Sequence, residues 1–396
     1  MGATTTPTPD EFETEVRTFF DGVPALLDRC DRSRTDRARA YRAALFDAGL
    51  AGIGYPLKYG GRGLGEEYQA VFRQVATPLQ PPEESTFGIG VGMALPTILE
   101  YGSDELKARL LPSGLRGEEI WCQLYSEPGA GSDLAGLTCK AERDGDEWII
   151  TGQKLWTSGA QHADLGILIA RTDPDAPKHA GITMFVLPMN QPGVKVRPLV
   201  QMTGVAEFNE VFLDEARCPA DWIVGEVNHG WRLATALLAH ERTSLGKGQM
   251  TKHTERSKAG RFPIPFEGLL DRADWAGRRD HPVIRQQLAQ AYIGEKIIPW
   301  LAARQQHPSL GKLWRTIQGR LAADTAHELG GSVAMAWEED DTEADYFAYH
   351  VLNCRGMSLG GGTDEVQKNT LGERVLGLPR EPGPDKNTPF RDLLRN

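Results

Sequence analysis

The sequence predicts an α+β multidomain protein in which helical segments flank a central all-β segment. Three observations predict it. Apolar residues recur three and four apart from Asp10 to about Arg116, short alternating runs separated by Pro and Gly follow from Trp121, and helical spacing returns from about Gly230. The expected domains are residues 1–120, 121–229 and 230–396, with no internal repeat. A chain of 396 residues with 40% apolar content is long enough to bury a substantial core in two or three such units.

In the first domain, FETEVRTFFDGVPALL and ARAYRAALFDAGLAGIG read as helices, and Gly49, Gly52 and Gly54 stop the second. YPLKYGGRGLG is a glycine-rich loop. PTILEYGSDELKARLLPSGLRGE returns to helix, with Ser103 as an N-cap whose hydroxyl can accept from a first-turn N–H. In the second domain DEWIITGQKLW follows an Asp144-Gly145 turn, and LGILIART, GITMFVLPM and GVKVRPLV come in succession as strands. In the third, GWRLATALLAHERTSLG, VIRQQLAQAYIGEKIIPWLAARQ and TIQGRLAADTAHELGG carry the helices. Residues 251–282 are polar, punctuated by Pro and Gly and weakly periodic, so a loop is expected there.

Composition excludes several classes. A net charge of −10 without clustered Lys and Arg argues against a nucleic-acid surface. No apolar run is long enough to cross a bilayer and MGATTTPTPDEF is not a signal peptide, so a cytoplasmic protein is expected. Cys30, Cys122, Cys139, Cys218 and Cys354 are odd in number and lack metal-site spacing, and read as reduced, mostly buried thiols. There is no GxxxxGK[ST] loop, strand-linked GxGxxG or HExxH.

Two stretches can carry chemistry. YSEPGAGSDLAG, Tyr125 to Gly136, surrounds Gly129, Gly131 and Ser132 with small residues; it is either a tight turn or a loop whose free N–H groups admit a phosphate-bearing cofactor. GQKLWTSGA puts Trp156 at a strand end beside Thr157 and Ser158. That indole is either core or a platform for a flat heterocycle.

Together with LFDAGLAGIGYPLKYGGRG, the HER helix and GGTDEVQKNTLGERVLGLPRE, these segments occur in the order and approximate spacing of the acyl-CoA dehydrogenase family, which the chain resembles through nearly its whole length. The resemblance implies an N-terminal helical domain, a middle β-barrel and a C-terminal four-helix bundle, with FAD as cofactor and α,β-dehydrogenation of an acyl-CoA thioester as the reaction. It implies FAD contacts at Tyr125 and Ser126 on the flavin pyrimidine edge, Trp156 on a flavin face and Ser158 at flavin N5. Gly131 and Ser132 fall near the pyrophosphate and CoA, and Thr363 and Glu365 at a further FAD contact, where Glu replaces the family's frequent Gln. Two family elements are altered. The Arg-x-x-Phe-Gly segment is missing, with Arg278 or Arg279 as candidate substitutes, and His327 replaces a Gln in HELGG.

Many members carry the base that removes the α-proton at the position of Gly361, and glycine cannot take a proton. A subset places it on the first long helix of the C-terminal domain, directly before an arginine. Here those positions are Glu241 and Arg242, the expected catalytic residues. Leu233, Leu237 and Glu241 are spaced four apart on that helix, and burial among leucines would raise a carboxyl pKa into a base's working range. By analogy with that subset, the expected substrates are branched or bulky acyl groups, steroid side chains among them, and the expected acceptor is an electron-transfer flavoprotein. The expected assembly is a homotetramer, dimer or heterotetramer. Two other readings stand beside it: a subunit without chemistry of its own that completes a partner's site, and a flavin oxidase or monooxygenase of the same fold.

Overall fold

A computed structural model of the chain describes residues 6–28, 33–79, 82, 84–246, 264–304, 306–336, 342–380, 382 and 387–393, the side chains of 241–246 and 342–345 excepted. Helices α1 (Pro9–Asp28), α2 (Arg34–Asp47), α3 (Glu66–Ala76), α4 (Leu95–Tyr101) and α5 (Asp104–Arg116) come first. Phe12, Val16, Phe20 and Val23 of α1 pack against Tyr41 and Leu45 of α2 and Tyr68 and Val75 of α3. Each such side chain contributes roughly 1.5–3 kcal/mol by leaving water. Gly49 takes φ +70° just after α2, where a Cβ would be strained. Ser103 caps α5 by accepting from Leu106 N at 3.1 Å, as the sequence predicts.

Among the described residues eight strands follow: β1 (Trp121–Leu124), β2 (Lys140–Asp144), β3 (Glu147–Ser158), β4 (Leu165–Arg171), β5 (Ile182–Pro188), β6 (Val194–Leu199), β7 (Phe208–Pro219) and β8 (Ile223–Val224). They form one mixed sheet in the order β6-β7-β3-β2-β4-β5-β8, with β1 parallel to β4. Strands β4 and β5 are covered on both faces, which is why LGILIA and ITMFVL are unbroken apolar runs rather than alternating ones. Ile167, Ile169, Met184 and Val186 share one core with residues of α4, α5 and the following helix α6 (Gly230–Gly246). Leu168, Ala170, Phe185 and Leu187 join Trp148, Ile150, Val211 and Leu213 in a second core, so the sheet curls round its own interior.

The last helices are α7 (Phe266–Trp275), α8 (Pro282–Ala303), α9 (Pro308–Gly330), α10 (Thr342–Met357) and α11 (Asp364–Thr370). Helices α7 to α10 surround one core of Leu269, Ala273, Ile284, Leu288, Ala322, Leu329 and Phe347. The loop expected over 251–282 is corrected here in part, because Phe266–Trp275 is helical. Leu269 and Ala273 are fully buried, and Pro265 supplies the extended residue before the first turn. The rest of that stretch up to residue 263 lies outside the described residues. Cys122, Cys139, Cys218 and Cys354 are buried free thiols; Cys30 lies outside the described residues. No described helix is long and apolar enough to cross a membrane.

Candidate active site

The two stretches singled out in the sequence meet in the sheet. Leu155 N donates to Ser126 O at 2.8 Å, joining the strand end of β3 to the loop that follows β1. Trp156, next along, has φ +59° and remains 54% exposed, with its ring edge-on to Phe208 at 5.9 Å. The β3–β7 register shifts between Lys154 and Thr157, and this bulge turns the indole outward. A bulky residue in left-handed backbone costs of order 1 kcal/mol or more and persists where the surroundings over-determine it, as at functional sites. Ser126 and Ser158 are half-buried on either side, and Tyr125 is buried.

The loop itself closes tightly: Glu127 and Ala130 exchange backbone hydrogen bonds at 3.1 Å. Gly129, Gly131 and Ser132 are exposed, and a Cβ at either glycine would meet nothing within 4 Å. An open, small-residue loop beside an outward-facing indole and two hydroxyls has the donor groups and the flat apolar face that a flavin dinucleotide requires. Among the described residues no cluster could hold a metal ion.

Beneath the loop lies a buried charge pair that the sequence reading missed. Lys154 Nζ donates to Glu127 Oε1 at 2.8 Å, to Tyr125 O at 3.0 Å and to Ile169 O at 2.9 Å, while Glu127 accepts from Thr138 N, Thr138 Oγ1 and Cys139 N. Lys154 is fully buried and Glu127 nearly so. Burial pushes the Glu127 carboxyl up, but the Lys154 charge and the hydrogen bonds from Lys154, Thr138 and Cys139 outweigh it and hold the group below the usual carboxylate range. The signal was available: Trp148, Ile150 and Lys154 share the inward parity of β3.

The C-terminal residues form a second group. Gly361 and Gly362 take φ +66° and +82°, and Thr363 then caps α11, its hydroxyl accepting from Val366 N at 3.2 Å. Asp364 is clamped by Lys312 at 2.9 Å and Arg320 at 2.8 Å from α9. Glu365 is exposed in the first turn of α11. Thr363 and Glu365 thus stand on the helical bundle, whereas Tyr125, Ser126, Trp156 and Ser158 are gathered by the sheet.

Helix α6 packs against β5 and α4 through Leu233, Ala234 and Leu237, all buried. Residue 241 follows at the same four-residue interval within this helix; the side chains of Glu241 and Arg242 lie outside the described residues. Arg278 donates to Glu328 O at 2.8 Å and lies 3.3 Å from Glu328 Oε1, and Arg279 is paired with Asp274 at 2.9 Å. Both candidate substitutes for the missing arginine are therefore held by acids of their own chain. The Nδ1 atom of His327 is buried without a hydrogen-bond partner among the described residues.

Two family models match the chain: the acyl-CoA dehydrogenase N-terminal domain over residues 6–118 and the acyl-CoA dehydrogenase middle domain over residues 122–216. The acyl-CoA dehydrogenase IpdE1 of Mycobacterium tuberculosis is 37% identical over 347 residues, covering 84% of this chain and 86% of the relative. FadE34 of the same organism, also an acyl-CoA dehydrogenase, is 39% identical over 348 residues, which is 85% of this chain but 46% of that longer protein. Among solved structures, the Tcur3481-Tcur3483 steroid ACAD is 28% identical with a TM-score of 0.72, covering 96% of this chain and all of that one. The ChsE4-ChsE5 complex of Mycobacterium tuberculosis is 29% identical with a TM-score of 0.67 over 96% of this chain and all of that one. The chain therefore belongs to the acyl-CoA dehydrogenase family and is an oxidoreductase with FAD as its cofactor.

Proposed function

We propose that this enzyme removes the Cα and Cβ hydrogens of bulky or branched acyl-CoA thioesters, steroid side-chain esters among them, with Glu241 as the base. The observation that carries the reading is Gly361: it has no side chain and sits at φ +66°, a backbone that a glutamate rarely adopts. The base then has to come from elsewhere, and Glu241 extends the buried Leu233–Leu237 spacing of α6.

FAD, when bound, supplies the hydride acceptor for the Cβ hydrogen. Glu241 takes the α-proton, which is too weakly acidic to leave before the hydride does. Arg242, one residue on, completes the Glu-Arg pair that the resemblance implies as catalytic. Trp156 would pack on the ring, Tyr125, Ser126 and Ser158 would orient it, Gly131 and Ser132 would line the diphosphate and CoA, and Thr363 and Glu365 would contact the cofactor from the bundle side. The glycines at 360–362 leave room beside the acyl carbons. The steroid ACAD named among the neighbours supports the substrate class. An electron-transfer flavoprotein is the proposed acceptor.

The test is the rate of anaerobic flavin reduction by butyryl-CoA, branched acyl-CoA and steroid side-chain CoA esters. Faster reduction by a bulky ester is expected; faster reduction by butyryl-CoA than by every bulky ester overturns the substrate assignment.

One set of observations favours a second reading, a chain that needs a different partner subunit to complete its FAD site. His327 has a buried nitrogen with no hydrogen-bond partner among the described residues, Arg278 and Arg279 are engaged, and the ChsE4-ChsE5 neighbour is a complex of two components. Protein purified alone would then be colourless and would bind FAD only after its partner was added.

A further inference from the structure

The chain's last described segment, residues 387–393, returns to the sheet and binds the connection between β4 and β5. Phe390 N donates to Ala176 O at 3.0 Å, Arg391 N donates to Pro174 O at 3.1 Å, and Pro389 bridges to Pro177. Phe390 is 5% exposed, and its ring lies against the guanidinium of Arg171, whose carbon is 3.7 Å from the ring centroid. Arg171 is itself 4% exposed and has no salt-bridge partner among the described residues. Its charge is met by carbonyls and by the phenyl face. Nη2 donates to Ala135 O at 2.7 Å and Leu137 O at 3.4 Å, and Nη1 to Lys178 O at 2.8 Å.

Ala135 and Leu137 end the small-residue loop that begins at Tyr125. The loop thus hangs from two buried charges. Glu127 grips residues 138 and 139, with Lys154 as its counter-ion, and Arg171 grips residues 135 and 137, with an aromatic ring in place of a counter-ion. A buried guanidinium that loses its ring would draw in water and turn from those carbonyls to solvent, because the carboxylates of Glu127 and Asp173 favour its charge without pairing with it. The exposed Arg391–Asp175 pair at 2.5 Å adds little, since such pairs are screened.

We propose that Phe390 is a positioning residue: by covering Arg171 it holds the Ala135–Leu137 end of the loop in the shape that retains FAD, so that the C-terminal segment sets cofactor affinity from outside the site. This rests on the reading of the Tyr125–Gly136 loop as part of the FAD site.

The experiment uses full-length Phe390→Ala, Phe390→Tyr and, as an exposed control, Arg391→Ala. Hydrogen exchange of the amides of Gly136, Leu137, Thr138 and Cys139 is measured alongside FAD dissociation constants. In Phe390→Ala these amides are expected to exchange about tenfold faster and FAD to bind about tenfold more weakly, while the β4–β5 ladder keeps its protection. Phe390→Tyr restores both, and Arg391→Ala changes neither. Uniform acceleration through loop and ladder would reduce Phe390 to a stability residue and overturn the proposal, as would no change at all. Local acceleration with unaltered FAD affinity also overturns it. Wild-type protein that takes up no FAD either alone or with its partner subunit would instead overturn the reading of the loop on which it rests.

Discussion

Lys154 and Glu127 meet at 2.8 Å in the interior of the sheet, both out of reach of water, and between them they hold the backbone of Tyr125, Thr138 and Cys139. Such a pair is weak evidence for net stability, because desolvating two charges costs several kcal/mol, but breaking it is expensive. Lys154→Met leaves a buried carboxylate without its partner and is expected to cost about 3–5 kcal/mol in denaturant unfolding. The double variant Lys154→Met with Glu127→Leu is expected to recover most of that loss while binding FAD more weakly than wild type. Recovery of stability without any loss of FAD affinity would show that the pair does not shape the loop.

The same pair predicts a pH dependence. The folded pKa of Glu127 lies below its ordinary value of 4.5, so its contribution is complete above that value and is lost as pH falls through the folded pKa. Unfolding free energy of wild type should fall below about pH 4, and less so in the double variant, which lacks the group. Asp364, held low by Lys312 and Arg320 against the opposing effect of burial, leaves the double variant a residual slope in the same direction. Equal slopes in the two proteins would contradict the assignment.

Trp156 offers a separation of stability from function. Its φ of +59° costs of order 1 kcal/mol that glycine would not incur. Trp156→Gly is therefore expected to keep or raise the melting temperature of the FAD-free protein, while FAD binding weakens about tenfold through loss of the stacking face. Fluorescence titration with FAD and thermal melts of the same sample check both halves.

Gly361 is the converse case. At φ +66° a side chain is strained, so Gly361→Ala is expected to lower stability by about 1 kcal/mol. The same strain means that Gly361→Glu should not restore turnover to Glu241→Ala; restored flavin reduction in that double variant would contradict the account of why the base moved.

Much of the fold was legible because local chemistry and tertiary packing agree. Ser103 caps α5, Asp144-Gly145 turns β2 into β3, and the unbroken runs of β4 and β5 reflect burial on both faces. Helix α7 was not legible, because its few apolar positions are buried by neighbours from α8 to α10 that lie far along the chain. The sequence left Trp156 open between core and platform; only the bulge in β3 turns it outward. Lys154 was passed over because a lysine on an inward strand position looks like an error until Glu127 is beside it. Phe390 had no sequence signal at all, since its partner Arg171 closes a strand in another domain.

The central claim is that Glu241 is the base. It is tested most directly by anaerobic flavin reduction in FAD-loaded Glu241→Gln, using the ester that reduces wild type fastest. The account predicts that FAD stays bound and that the reduction rate falls by about 10²–10⁴-fold, the usual contribution of a positioned base. Reduction at the wild-type rate would contradict it, and the α-proton would then have to be taken by a residue other than Glu241.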